Sequence, residues 1–391
     1  MHNGCACIEL RAQKVLKYVH NNKLMIYGMF DPQRPYNELP NLPPPEDFND
    51  VDLLKLVNKA SNSIFELKGA AHILPNRLIL ISPLSITEAV ASSGVENINT
   101  TVAEALKADV IYEKSEVSGA DKEILNYRDA LMGGFELLMK QEFLNSNSFI
   151  YIQSILEPKK KGIRTLPDVA VRNSATKEKI YTPPEGREII LDKLKNFEDY
   201  FNDKSGFDDV DPLIRVAIMH YQFEAIHPFL DGNGRTGRIL MVLYLVMVGR
   251  LDLPILFLSK YILEHRDEYY GLLSAVTKNN EWKPWVKYIL QGIDQQATET
   301  KMKILEIKRL IADYKKIEQT KQTSIISQKM LDYLFSNPFY SQKKLSESLG
   351  VHRNTASKYF AELEILGLVS KFKHKKENIY YNEKLLNLLS Y

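Results

Sequence analysis

The chain has 391 residues, of which 45% are hydrophobic and 26% are charged, and its formal net charge is +2. This composition excludes a disordered or fibrous protein and allows two or three domains with a sizeable core. The near-balanced charge predicts no general attraction to nucleic acid, so such a partner would need a local basic patch. Two cysteines, Cys5 and Cys7, are too few for a disulfide framework or a zinc site, so we expect free thiols in a reducing, cytoplasmic compartment. We expect no membrane partner, because no apolar run is long enough to span a bilayer and no signal-peptide pattern opens the chain.

The first 115 residues divide into an arm and a helical segment. Residues 1–50 end in FDPQRPYNELPNLPPPEDFND, whose prolines predict an extended arm that lies over a domain surface. A helical pattern begins with Asp52 as a candidate N-cap and continues to Leu67. A second helix is predicted over residues 85–91, and SSGVENIN follows it.

The segment from 116 to 300 is predicted to be mainly helical and to form the core of the protein. One interruption contains residues 169–171 and 179–181, which have the pattern of two short strands closed by a pair of prolines. A charged helical stretch then predicts a connector over residues 301–325. The fold class is therefore mainly α, with a short β-hairpin in the core.

The last segment, 326–391, has a different pattern. YSQKKLSESLGVHRNTASKYFAELEILGLVS predicts a helix, a turn at Gly350 and a second helix over 354–366; LVSKF, the basic KHKKEN and IYY then predict a hairpin. This order indicates a winged helix-turn-helix, whose second helix would enter a DNA major groove. Candidate DNA contacts on that helix are Arg353, Asn354, Thr355 and Lys358. The alternative is a protein-interaction or dimerisation module.

The stretch HPFLDGNGRTGR, residues 227–238, concentrates the chemistry of the chain. Its glycines allow positive φ, and the apolar run that follows places them at a helix N-terminus, where phosphate binds well. Arg235 and Arg238 are three residues apart, so they share one face of the first turn. His227 could take a proton from an attacking hydroxyl, and Asp231 could bind Mg²⁺ together with nucleotide phosphates. The alternatives are a buried structural histidine and a simple helix N-cap.

The same stretch resembles the motif of the Fic family, His-Pro-Phe-x-Asp/Glu-Gly-Asn-Gly-Arg-x-x-Arg, and matches every specified position. PYNELPNLPPP, YTPPEG and LSKYILEHRDEYYGLL also resemble Fic segments, so the likeness extends over about residues 29–300. It implies a helical bundle with a β-hairpin flap and AMP transfer from ATP to a Ser, Thr or Tyr hydroxyl of a target protein or of the chain itself. His227 would be the base and Asp231 the Mg²⁺ ligand. The nucleotide-binding residues would be Gly232, Asn233, Gly234, Arg235, Thr236, Gly237, Arg238 and, with packing as its alternative, His265.

A second resemblance concerns regulation. Ser92-Ser93-Gly94-Val95-Glu96-Asn97 resembles the inhibitory motif Ser/Thr-x-x-x-Glu-Gly/Asn of Fic proteins, in which the glutamate pairs with the second arginine of the loop. Here Glu96 would pair with Arg238 and prevent productive binding of ATP. The resemblance also allows removal of AMP by the same site. The alternative for Glu96 is a solvated surface carboxylate.

Two functions from different classes follow. The leading hypothesis is an autoinhibited protein adenylyltransferase that uses ATP and Mg²⁺ and acts on a protein hydroxyl. The alternative is a DNA-binding transcriptional regulator whose Fic core senses nucleotide. The predicted division is an arm (1–50), helices with the inhibitory motif (51–115), a catalytic core (116–300), a linker (301–325) and a winged helix (326–391); a homodimer is compatible with either function.

Overall fold

The computed structural model describes the backbone of residues 15–20 and 23–28, and residues 30–390 except 75, 77, 78, 80, 113–115, 173–175, 204–208 and 322–324. The predicted free thiols of Cys5 and Cys7 lie outside the described residues. The chain is mainly α-helical, as predicted. No helix in the described part is both long and apolar enough to cross a bilayer.

The N-terminal segment contains a hairpin and an extended arm. Strands β1 (Val15–His20) and β2 (Lys23–Gly28) pair antiparallel, which the prediction of a simple arm missed. The proline-rich part lies over the core as predicted: the Tyr36 amide donates to the Thr182 carbonyl (2.9 Å), and the Asn196 side chain bonds both backbone groups of Leu42.

Helices surround a core in which two central helices are buried on nearly all sides. In chain order they are α1 (Val51–His72), α2 (Ile81–Val95), α3 (Val102–Ile111), α4 (Gly119–Gln141), α5 (Ser146–Leu156), α6 (Arg187–Phe201), α7 (Pro212–Ile226), α8 (Asn233–Met247), α9 (Ser259–Glu264), α10 (Arg266–Asn279) and α11 (Trp282–Lys321). The central pair is α7 and α8, which pack against each other while α1 packs along α11. The loop between α7 and α8 is therefore held at both ends by buried helices.

Three helix boundaries differ from the predictions. The N-cap of α1 is Asp50 and not Asp52, because the Asp50 carboxylate accepts hydrogen bonds from the amides of Asp52 and Leu53, both at 3.1 Å. The second predicted helix is longer than 85–91, since α2 continues to Val95. Residues 301–321 of the predicted connector form the second half of α11, which runs without a break for 40 residues.

The predicted flap is present as two short antiparallel strands, β3 (Val171–Arg172) and β4 (Lys179–Tyr181). The Tyr181 hydroxyl donates to the carbonyl of Ala225 at the end of α7, at 2.7 Å. This contact holds the flap beside the start of the loop that joins α7 and α8.

The C-terminal unit contains two helices around a turn, followed by a hairpin, in the order predicted. Its elements are α12 (Gln328–Ser336), β5 (Phe339–Ser341), α13 (Gln342–Leu349), α14 (Arg353–Ile365), β6 (Ser370–His374), β7 (Glu377–Tyr381) and α15 (Glu383–Ser390). The sheet order is β5-β7-β6, with antiparallel neighbours, and Gly350 makes the turn with φ 67°. The unit packs on the core, where Thr87 of α2 donates to the Leu389 carbonyl (3.4 Å) and Asn337 donates to the Leu106 carbonyl (3.3 Å).

Candidate active site

The loop between α7 and α8 begins and ends with residues in left-handed backbone conformations. His227 caps the C-terminus of α7 with φ 48° and ψ 58°, a region that few non-glycine residues adopt. Gly232 precedes α8 with φ 80°, which glycine adopts without a steric penalty. The side chain of Asn233 holds the loop closed through bonds of 2.8 Å to both backbone groups of Phe229. The glycine-rich stretch thus opens a helix N-terminus, as predicted.

A buried arginine that the sequence analysis did not identify supports this loop from below. The Arg164 guanidinium donates from Nε to the His227 carbonyl (2.7 Å) and also to the carbonyls of Ile226 and Pro184. Its backbone amide donates to the Pro228 carbonyl at 3.0 Å. Because it binds carbonyls at the end of α7 and beyond the flap, this cation neutralises a helix C-terminus and ties three segments together.

His227 is half-buried and uncharged. Burial lowers its pKa to about 4, and the nearby positive charge of Arg164 acts in the same direction. The imidazole is hydrogen-bonded to the backbone carbonyl of Glu224, so one ring nitrogen carries the proton and the other is available as an acceptor. A neutral histidine in this position can accept a proton near neutral pH.

Asp231 and Arg235 belong to one network of charges. Asp231 pairs with Lys160 and lies 3.3 Å from Arg235, which also pairs with Glu123 (3.0 Å) and Glu157 (2.8 Å). Burial opposes ionisation of Asp231, but the bond from Lys160 and the neighbouring cations hold its pKa below the usual value. Lys160, Glu123 and Glu157 were not among the residues selected from the sequence.

Arg238 points away from that network and towards the end of α2. Its Nε donates to the Ser92 hydroxyl (2.8 Å), and its terminal nitrogen donates to the Ser92 carbonyl (3.0 Å) and to Oε1 of Glu96 (2.9 Å). The Arg238 side chain is 1% exposed and that of Glu96 is 36% exposed. The structure therefore brings together the two residues that the inhibitory motif predicts as a pair. The guanidinium groups of Arg235 and Arg238 do not share the one face of α8 that helix spacing predicted, because they pair with different carboxylates.

The remaining motif residues hold the turn that presents Glu96. The carbonyl of Ser93 accepts from the amides of Glu96 (3.0 Å) and Ile98 (2.9 Å), which ends α2. Asn97 has φ 63°, and its side chain accepts a bond of 2.7 Å from Arg266. The turn is consequently fixed to the helix that follows α9.

A cavity of about 170 Å³ lies above this pair. Its wall includes His227, Gly234 and Arg238 from the loop and α8, Glu96, the flap, and the aromatic side of α10. His265 lies elsewhere: it separates α9 from α10, bonds the Tyr261 carbonyl at 2.9 Å and stacks near the Tyr261 ring. Its proposed contact with a nucleotide base stays a prediction, and packing is the role that the geometry favours.

Three family models match successive parts of this chain. Residues 54–136 match the model described as Fic/DOC family N-terminal, and residues 143–245 match Fic/DOC family. Residues 310–385 match the model described as Protein adenylyltransferase SoFic-like, C-terminal domain. The chain belongs to the Fic family.

Relatives and solved structures agree with this assignment. Protein adenylyltransferase fic-1 of Caenorhabditis elegans is 37% identical over 108 residues, which cover 27% of this chain and 19% of the relative. Protein adenylyltransferase Fic of Aedes aegypti is 31% identical over 149 residues, 37% of this chain and 28% of the relative. The matches thus span under a third of these relatives. A Fic family protein from Desulfovibrio desulfuricans shares the fold with a TM-score of 0.53 at 17% identity, covering 87% of this chain and 98% of that chain.

The predicted DNA contacts lie at the N-terminal end of α14 of this Fic protein. Arg353, Asn354 and Lys358 are exposed and Thr355 is half-buried. The hairpin beside them is engaged within the chain, since the Lys375 ammonium lies 5.9 Å from the centre of the Tyr112 ring and Lys371 pairs with Glu364 at 2.8 Å. The matching family model is described by adenylyltransferase and not by DNA, so the regulator hypothesis gains no support.

Proposed function

We propose that this Fic protein transfers AMP from ATP to a hydroxyl group of a target protein, or of itself, and that Glu96 inhibits the transfer. The observation that carries the proposal is the pair of Arg238 and Glu96 in the cavity beside an uncharged His227. The names of the relatives, protein adenylyltransferases, support the same reaction.

The proposed reaction assigns proton transfer to His227. The target hydroxyl oxygen forms a bond to the α-phosphorus of ATP, and its proton moves to the free ring nitrogen of His227. The bond between the α-phosphorus and the bridging oxygen breaks, and its electron pair leaves with pyrophosphate. A pKa of about 4 keeps His227 unprotonated, and so ready to accept this proton, over the neutral pH range.

The N-terminus of α8 is suited to hold the phosphates. Its first amides lack partners within the helix and point towards the loop, and the helix dipole favours an anion there. Arg238 is the proposed anchor for the γ-phosphate, and a phosphate role for Arg235 would require release from its own carboxylates. In this way the chain would align the α-phosphate with the attacking hydroxyl.

Asp231 is the proposed Mg²⁺ ligand. Among the residues that the structure describes, no three His, Cys, Asp or Glu side chains are grouped to hold a metal ion by themselves. Mg²⁺ commonly binds through one or two carboxylates together with substrate phosphates and water, so an ionised Asp231 fits this ion in the presence of ATP. Lys160, which now pairs with Asp231, would have to move aside. Bound Mg²⁺ would neutralise charge that develops on the phosphates.

Inhibition by Glu96 follows from the same contacts. While Glu96 holds Arg238, the γ-phosphate has no anchor and would meet a carboxylate of like charge. Breaking the pair requires a replacement partner, because a buried guanidinium left alone is strongly disfavoured.

We further propose that the C-terminal unit is a winged helix and that the five predicted segments are the functional divisions of the chain. The packing of the C-terminal unit against α2 supports a role for this unit close to the inhibitory segment.

Self-labelling with labelled ATP tests the proposal. We expect weak labelling of the wild type, labelling stronger by at least about tenfold in Glu96→Gly and in the isosteric Glu96→Gln, and none in Glu96→Gly/His227→Ala. Glu136→Gly, at an exposed position of α4 remote from the cavity, should behave as the wild type. Equal labelling of Glu96→Gly and the wild type would contradict inhibition, and full labelling of the His227 variant would contradict the proposed base.

A further inference from the structure

A second carboxyl group, Glu224, faces the cavity beside Glu96 and Arg238. It lies on α7, three residues before His227, and its Oε1 is buried without a hydrogen-bond partner among the described residues. A Cβ atom at Gly237 would lie only 2.7 Å from this oxygen, so the carboxyl sits closely against the first turn of α8. The family motif begins at His227, and the mechanism proposed above does not use Glu224.

The groups around Glu224 determine its charge. The formally charged groups that act on it are Arg238 from α8 and Glu96 from the end of α2. Tyr269 and Tyr270 approach it from α10. The histidines that flank it on α7 and the flap tyrosine are uncharged at neutral pH; they are His220, whose pKa burial lowers to about 3, His227 and Tyr181.

These neighbours favour a protonated Glu224 in the inhibited state. Arg238 and Glu96 already balance each other, so an ionised Glu224 would place a second, unbalanced negative charge on a carboxyl oxygen that is buried and without a hydrogen-bond partner among the described residues. Burial raises the pKa of Glu224 to about 8, and the like charge of Glu96 acts in the same direction while Arg238 opposes it. When Glu96 leaves, Arg238 loses its partner and Glu224 loses the like charge, and both changes favour ionisation of Glu224.

We propose that Glu224 is a second carboxyl group that controls access of the nucleotide to Arg238, protonated while Glu96 is in place and ionised against Arg238 once Glu96 withdraws. The inference rests on the proposed function, because it takes Arg238 as the anchor of the γ-phosphate. A nucleotide that enters the released site must displace Glu224 from Arg238. The negative charge of the bound nucleotide then favours the neutral form of Glu224, which takes up a proton from solvent. Nucleotide binding is therefore accompanied by proton uptake, and the affinity for nucleotide falls as the pH rises.

Calorimetry with ATP and Mg²⁺ between pH 7 and 9 tests this. In Glu96→Gly we expect the Kd for ATP to rise by up to about tenfold for each pH unit. This rise is expected between the pKa of Glu224 in the free protein and its pKa in the complex with ATP. Glu96→Gly/Glu224→Gln should bind ATP more tightly at pH 9 and change by less than about twofold over the range. Glu96→Gly/Glu136→Gln is the control and should keep the pH dependence.

Titrations of Glu96→Gly in buffers of different ionisation enthalpy give the number of protons taken up when ATP binds. This number tests the role of Glu224 even if the Glu224→Gln variant does not fold. Binding without proton uptake, or with the same pH profile in the Glu224→Gln variant, overturns the role of Glu224 and leaves the proposed transfer intact. Failure of Glu96→Gly to bind ATP at any pH would overturn both proposals.

Discussion

Replacement of Arg164 tests how far the reacting loop depends on support from outside the motif. Arg164→Met keeps most of the apolar length of the side chain and removes its charge and its donors. The lost hydrogen bonds include the bond of 2.7 Å from Nε to the His227 carbonyl, which holds the reacting loop. They also include the bond to the Pro184 carbonyl, which holds the chain that follows the flap. Arg164→Lys retains the charge but not the planar fork that serves carbonyls on two sides.

The size of the effect follows from these contacts. A hydrogen bond to a charged group contributes about 1.5 to 3 kcal/mol, so two such bonds set an upper range of about 3 to 6 kcal/mol. Burial of the guanidinium offsets part of this, as shown by the lowered pKa of Arg164, for which desolvation is the main cause. We expect Arg164→Met to lower the free energy of unfolding by about 2 to 4 kcal/mol, measured by urea denaturation.

The effect on transfer separates positioning from stability. Loss of support for His227 should lower self-labelling by about 10- to 100-fold in the Glu96→Gly background, at a temperature where both proteins are folded. The positive charge of Arg164 lowers the pKa of His227, so its removal should move the acid limb of the pH–rate profile to higher pH. Arg164→Lys should lose rate and keep that limb in place. An Arg164→Met variant with full labelling and an unmoved acid limb would refute the reasoning.

Two further predictions concern α2. Ser92→Ala removes the hydroxyl that accepts from Arg238 at 2.8 Å, so self-labelling should rise by roughly tenfold, though less than in Glu96→Gly; no rise would show that the hydroxyl does not help to hold the inhibited state. Burial raises the pKa of Glu88 to about 7, above its unfolded value near 4.5, so its stabilising effect is present below about pH 4.5 and is lost as the pH rises through 7. The stability of the wild type relative to Glu88→Gln should therefore fall by on the order of 3 kcal/mol from pH 4.5 to pH 8.5, measured by urea denaturation at each pH, and a constant difference would contradict the buried, protonated carboxyl.

The motif residues were predictable from the sequence because their spacing carries the geometry. His227 and Gly232 lie at the two ends of a short loop, where α7 ends and α8 begins. The apolar run that follows the loop predicts α8 from the sequence. The pairing of Glu96 with Arg238 was predictable only through resemblance, since 142 residues separate the two along the chain. No local pattern would have linked them.

Arg164 could not be predicted for a related reason. It lies in an irregular segment without helical or strand periodicity, and the pairing of Ile163 with Phe229 is what brings it under the loop. The same limit applied to Arg235 and Arg238: helix spacing placed them on one face, but their long side chains diverge to partners on different elements. Local periodicity predicts where a side chain leaves the backbone, and tertiary packing decides where its charged end goes.

The sequence explains the glycines of the loop by positive φ, and this explanation holds for only one of Gly232 and Gly234. Positive φ explains Gly232, but Gly234 lies within α8 and has no such requirement. What Gly234 provides is space: a Cβ there would lie 2.3 Å from Oε1 of Glu96 and 3.0 Å from the Arg238 guanidinium. Under the proposed function the phosphates of ATP would approach the same helix N-terminus and the same arginine. Because one small volume then serves the internal carboxylate and the external phosphate in turn, the two are mutually exclusive, and nucleotide that binds productively must move Glu96.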